Sequence, residues 1–176
     1  MNIDDSVVYR IPRYQREYKW SKPQWEDLFD DIFDSDISGY FLGSIICINQ
    51  TTDTAAESVL EVVDGQQRLT TLSLLLTALY ARSEPVVSSS MKNRLLSVNL
   101  KHRIVLKKDG TKTRVVPQQQ NNNQADYFTV LADAGLLKAK PKVSNVGNRK
   151  IKRASSTSSR GSRVGSRTTK PRSMNY

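Results

Sequence analysis

Asp64, Gly65, Gln66, Gln67 and Arg68 stand together where a short β-branched run, Val59 to Val63, meets a leucine-rich one, Leu69 to Ala81. A strand that feeds through a glycine turn into a helix aims free backbone N–H groups at whatever lies above the turn, and those groups favour an anion. Gly65 permits close backbone approach, Arg68 can hold a phosphate through two parallel hydrogen bonds, and Thr70 and Thr71 add hydroxyl donors. Asp64 supplies a carboxylate able to hold a divalent metal or position a water. In a site poor in other catalytic groups, a metal clamp is how a phosphate ester would be attacked. The same residues also fit an ordinary Asp-Gly turn with an arginine facing solvent, and on the turn alone that plainer fit is the stronger.

A second segment, IPRYQREYKW from Ile11 to Trp20, alternates Arg13, Arg16 and Lys19 with Tyr14, Tyr18 and Trp20. Interleaved cations and aromatics suit phosphate contact combined with base stacking. They equally suit a loop whose rings pack inward while the charged ends reach water. His102 is expected to be a surface or structural residue within a strand.

These residues need elements to position them. Ser21-Lys22-Pro23-Gln24 fits a capping box, with Trp20 and Trp25 at the staple positions, and Trp25, Leu28, Phe29, Ile32 and Phe33 then form one apolar helix face. The acids opposite, Glu26, Asp27, Asp30, Asp31 and Asp34, read as a solvated surface, a metal site being the minority reading. After a turn at Gly39, Tyr40 to Ile48 reads as a strand buried on both faces, and Asn49 to Ser58 as a loop. Val59 to Val63 reads as a strand and Leu69 to Ala81 as a buried helix ended by Ser83, Glu84 and Pro85. Met91 to Leu100 is a further helix, and Arg103–Lys107 with Thr113–Val116 form a hairpin around Asp109-Gly110. Gln118 to Gln124 is expected to be a mobile loop, followed by a helix over Ala125 to Leu137.

Charge divides the chain unevenly. Residues 1 to 90 hold seven Lys and Arg against fourteen Asp and Glu, although the whole chain is net +10. A basic tail beside an acidic domain points to a polyanionic partner such as nucleic acid. From Lys138 to Tyr176 there are twelve Lys or Arg and eight Ser with no acid, Leu or Phe, so disorder is expected there. The single cysteine, Cys47, lies in an apolar run and reads as a buried thiol, in keeping with a reducing compartment. No apolar run approaches the roughly 20 residues a membrane helix needs, and the N-terminus lacks a signal-peptide pattern. The cytoplasm is the expected location.

The order IPRYQREYKW, a Trp-led helix, YFLGSI and then EVVDGQQRLTTLSLLL resembles the ParB-like domain at the N-terminus of GmrSD-type restriction endonucleases and related defence proteins. The resemblance is close over residues 8 to 82 and looser to 137. It implies an α/β fold related to ParB and sulfiredoxin, a small mixed sheet with packed helices over residues 1–137, followed by the disordered basic tail of 138–176. It further implies that the DGQQR turn binds a nucleotide with Mg²⁺ and supports NTP hydrolysis coupled to restriction of modified phage DNA. Carried over by motif position, Asp64 is the catalytic or metal-holding acid and Arg68 the catalytic cation. Gly65, Gln66 and Gln67 complete the phosphate-binding turn, Gln15 and Arg16 form a facing wall, and Thr70 and Thr71 are additional contacts. The implied partners are a nucleotide, DNA and a nuclease.

Proteins of this kind commonly continue into a helical region and an HNH-type nuclease domain. With one His and one Cys, this chain cannot build the His-rich metal site of such a nuclease, so the nuclease is expected in a separate subunit or a missing C-terminal domain. SNVGNRKIKRA, Ser144 to Ala154, still resembles a family segment before the sequence turns to Ser, Arg and Gly. A truncated or frameshifted gene is the expectation, with a nucleic-acid-binding tail as the alternative. The functional expectation is an NTP-hydrolysing defence module. A non-catalytic DNA or nucleotide sensor and an inactive truncated remnant are the alternatives.

Overall fold

The structure is a computed structural model that describes residues 6–33, 41–51, 57–83, 91–138 and 149–161, with side chains of the last stretch to residue 155. Four strands, β1 (Val7–Arg10), β2 (Ile46–Asn49), β3 (Ser58–Asp64) and β4 (Val115–Val116), form one sheet in the order β2-β3-β1-β4. β1 runs parallel to both β3 and β4, whereas β2 is antiparallel to β3. The expected small mixed sheet is present. Parallel neighbours cannot be joined by a tight hairpin, so the β1-to-β3 crossover carries α1 (Lys22–Phe33) and β2.

The helices are α2 (Gln66–Ser83), α3 (Met91–Ile104), α4 (Asn123–Asp133) and α5 (Lys150–Gly161), with a single 3₁₀ turn at Gln120–Asn122. α2 packs against α3, α4 and α5. Val62, Leu74, Ile104, Tyr127, Leu131 and Ile151 meet in the core. α1 starts where the capping pattern places it: the Ser21 N–H and hydroxyl both donate to Gln24 Oε1 at 2.9 Å. Trp25 and Leu28 are buried on its inner face, but Phe33, expected on that face, is 66% exposed.

Several sequence expectations are corrected. Of the described residues in the run Tyr40 to Ile48, only Ile46 onward is strand, and β2 is an edge strand with Ile46 and Ile48 more than half exposed. Continuous apolarity does not distinguish burial from covering a neighbouring turn. Cys47 is accordingly half-buried, and desolvation raises its thiol pKa. α3 continues through Arg103 and Ile104, so His102 is helical; the hairpin shrinks to the Val105–Thr113 bridge around Asp109-Gly110. The Gln118 to Gln124 tract is tied down: Gln118 and Asn123 are buried, and Gln120 Nε2 donates to the Arg13 carbonyl at 3.0 Å.

The basic tail also departs from expectation. Residues 150–161 form α5, and Ile151 and Ala154 are buried in the core. Two apolar residues at helical spacing, Ile151 and Ala154, suffice because α2 and α4 present a ready surface, and Arg149 anchors the helix start through Asp126 Oδ2 at 2.9 Å. Ile151→Val is therefore expected to cost about 1 kcal/mol, read as a shift in the denaturation midpoint; a tail without fixed packing would show no change. The expected turn at Gly39, the helix stop at Glu84-Pro85, residues 52–56 of the Asn49 to Ser58 loop, and residues 139–148 and 162–176 lie outside the described residues.

Candidate functional site

The residues of the Asp64 to Arg68 turn do three different jobs. Gly65 takes φ +84° between β3 and α2, and a Cβ there would lie 2.9 Å from the Ser44 carbonyl oxygen and 3.2 Å from Ile45 Cα. The glycine is required because the chain's own 44–45 backbone crosses it, whereas the sequence assigned that closeness to a ligand.

Gln66 and Gln67 are buried and hold the Ile11 to Trp20 segment. Gln66 Nε2 donates to Gln15 Oε1 at 3.0 Å, and Gln15 Nε2 donates onward to the Val63 carbonyl at 2.8 Å. Gln67 Oε1 accepts from the backbone N–H of Lys19 at 2.8 Å and of Trp20 at 3.4 Å, while its Nε2 donates to the Glu17 carbonyl at 3.1 Å. The Gln67 amide thus stands in for a missing backbone partner. Gln67→Glu keeps the acceptor but sets a carboxylate oxygen against the Glu17 carbonyl in a buried position. A loss of about 2–3 kcal/mol is expected in urea denaturation; an unchanged midpoint would remove this bracing role.

Thr70 and Thr71 are turned inward. Their hydroxyls donate to the Gln66 and Gln67 carbonyls, each at 2.8 Å, so they are not free to donate to a phosphate, as the sequence suggested. Since Thr71 spends its only proton there, the 2.6 Å contact with Tyr18 must have the tyrosine as donor. Trp25 Nε1 in turn donates to the Tyr18 oxygen at 2.8 Å. Burial pushes the Tyr18 hydroxyl up to about 12, so it stays a neutral link between the segment, α1 and α2. Tyr18 therefore serves the packing role that the sequence left open, against the Trp25 expected in the core, whereas Tyr14 is 70% exposed and donates to Glu61 Oε1 at 2.7 Å.

Arg68 faces the other way. Its Nη1 donates to the Ser44 carbonyl at 3.4 Å, and its guanidinium lies over Gly43, where a Cβ would come within 2.5 Å of Nη1. Gly43, at φ +91°, is the cradle of the arginine. Arg68 lines a cleft of about 290 Å³ together with Gly43, Trp20, Phe41, Asp27 and Asp31. The acidic face of α1, read from the sequence as a solvated surface with a metal site as the lesser alternative, supplies the two carboxylates. Asp64 does not line this cleft. It is exposed at the end of β3, and its carboxylate has no hydrogen-bond partner among the described residues; Arg16 is also exposed.

The three sequence segments that suggested a family thus converge: the glutamines hold IPRYQREYKW, and Gly65 and Arg68 hold YFLGSI. A family model for the GmrSD restriction endonuclease N-terminal domain matches residues 1–167. The chain belongs to that family. This GmrSD N-terminal domain matches no curated protein. Membership places it in a restriction and defence setting. No described helix is long and apolar enough to cross a membrane.

A Mg²⁺ ion usually takes one or two protein carboxylates and completes its shell with water and substrate phosphates. The described residues hold no cluster of three or more metal-ligating side chains, and the exposed Asp64 carboxylate suits the sparser arrangement.

Proposed function

We propose that this domain binds a nucleoside triphosphate in the cleft beside Arg68 and hydrolyses it with Mg²⁺, as the controlling module of a restriction protein acting on modified or foreign DNA in the cytoplasm. The observation that carries the reading is that the motif's one cation, Arg68, lines a cleft that also contains Trp20 and Phe41. Aromatic rings suit a base and a guanidinium suits phosphate oxygens. The volume is near the lower end of ligand sites, roughly 300 Å³. Asp27 and Asp31 would repel a bare triphosphate, so neutralisation by the ion favours binding of the Mg²⁺ complex. When bound, Mg²⁺ would supply charge neutralisation at the phosphates. Asp64, the acid that the motif puts forward to hold it, stands at the end of β3 outside the cleft lining, so it would reach the ion from the rim, whereas Asp27 and Asp31 are the carboxylates inside. On this reading the partners are DNA and a nuclease, in this polypeptide or another.

A second reading, nucleotide sensing without turnover, is favoured by how many motif side chains are already committed to holding the fold, Gln66, Gln67, Thr70 and Thr71 among them. Calorimetric titration with NTPs and Mg²⁺, run beside a phosphate-release assay, decides between the two. Binding with release supports hydrolysis and binding alone supports sensing. Neither binding nor release from any NTP would exclude both.

A further inference from the structure

α3 is built to be packed on two sides, and the described residues cover only one. Asn93, Ser97, Leu100 and Ile104 recur at helical spacing; Ser97 and Ile104 are buried, and α3 packs on α2. The opposite face repeats the same spacing with Met91, Leu95 and Val98, which are 78%, 61% and 47% exposed; Leu96, also exposed, lies outside this stripe, beyond its Lys92 and Arg103 border. Lone exposed apolar residues are ordinary, but a stripe along one helix face is not. Its borders are uniformly basic, with Lys92 and Arg103 on one side and Arg94 and Lys101 on the other. No acid occurs between Pro85 and Lys108.

We propose that this face of α3 docks an acidic amphipathic helix of a partner protein. The apolar stripe supplies the buried centre of such a contact, and the basic borders select a partner whose own stripe is flanked by Asp and Glu. A nucleic acid would use the cations and leave the stripe unused. A second copy meets the face poorly, because another α3 is equally basic and the acidic helix α1 has already committed Trp25 and Leu28 to its own core.

The test titrates the full chain with a synthetic helical peptide carrying a Leu stripe flanked by Glu, and with the same residues scrambled to destroy the stripe. The striped peptide is expected to bind at least about tenfold more tightly than the scrambled one, to protect amides of 91–104 from hydrogen exchange, and to weaken with salt. Leu95→Glu should reduce that affinity by about tenfold or more without lowering the melting temperature, because the side chain is exposed. Arg94→Glu provides an independent surface variant with the same expected direction. Equal binding of the two peptides would overturn the proposal, as would indifference to both substitutions. So would displacement of the peptide by duplex DNA or phosphatidylserine vesicles through the same residues, or Leu95-dependent self-association of the chain.

Discussion

Arg68→Ala is expected to lower phosphate release from a nucleoside triphosphate by at least about a hundredfold, the usual consequence of removing one preorganised donor from a developing anionic charge. The fold should persist, because the side chain is only partly buried and its hydrogen bond to the Ser44 carbonyl is long, at 3.4 Å. Gly43→Ala makes the comparison sharper. It leaves the positive charge in the molecule but puts a methyl group within 2.5–2.9 Å of three guanidinium atoms, so the arginine must leave its seat. The two variants should show the same direction of change in steady-state phosphate release. Asp64→Ala is the third arm: a loss of comparable size would assign the metal-holding role to the exposed carboxylate at the end of β3. Arg68→Ala protein that hydrolyses at the wild-type rate would remove the cleft from the mechanism altogether.

Gly65→Ala should destabilise the domain by about 2–4 kcal/mol, combining the cost of a positive φ for a residue with a Cβ and a collision with fixed backbone. At this chain length that corresponds to a fall of roughly 10 °C in melting temperature. Two other glycines divide the effect into its causes. Gly135 also has a positive φ, +78°, but open space around its Cβ position, so Gly135→Ala should cost only about 1 kcal/mol. Gly110 has neither constraint, and Gly110→Ala should stay within about 0.5 kcal/mol of wild type. The ranking Gly65, Gly135, Gly110 in thermal unfolding is the expected outcome. If Gly65→Ala cost no more than Gly135→Ala, the 44–45 backbone would not press on the turn as described.

The elements around the site were legible because their signals are local. The Ser21 cap, the Val59 to Val63 strand, the Gly65 turn and the leucine-rich helix each follow from residues within one or two turns of one another, and each is found within a few residues of where the sequence places it. The order of three short segments was also enough to indicate the family that the match over residues 1–167 establishes. What misled was composition. A glutamine and asparagine tract reads as unstructured until Glu17 and the Arg13 carbonyl are brought beside it to accept its amide hydrogen bonds. A Ser, Lys and Arg tail reads as unable to fold until α2 and α4 offer Ile151 and Ala154 a place to be buried.

The turn from Asp64 to Arg68 divides along the same line. Sequence by itself determined that a strand passes through a glycine turn into a helix at this point, and it named the segments that accompany the turn. It could not determine what each side chain of the turn would face, because hydrogen-bond partners 24 to 51 residues away are set by how strands and loops stack, and no local pattern encodes that. Only the tertiary structure decided that Gln66 and Gln67 brace the Ile11 to Trp20 segment, that Thr70 and Thr71 turn back onto their own helix, and that Arg68 alone of the motif's side chains lines the cleft. The physical reason is that a buried amide or hydroxyl takes its partner wherever the fold provides one, whereas a guanidinium seated on a glycine, with no side chain there to displace it, can keep part of its surface open to a ligand.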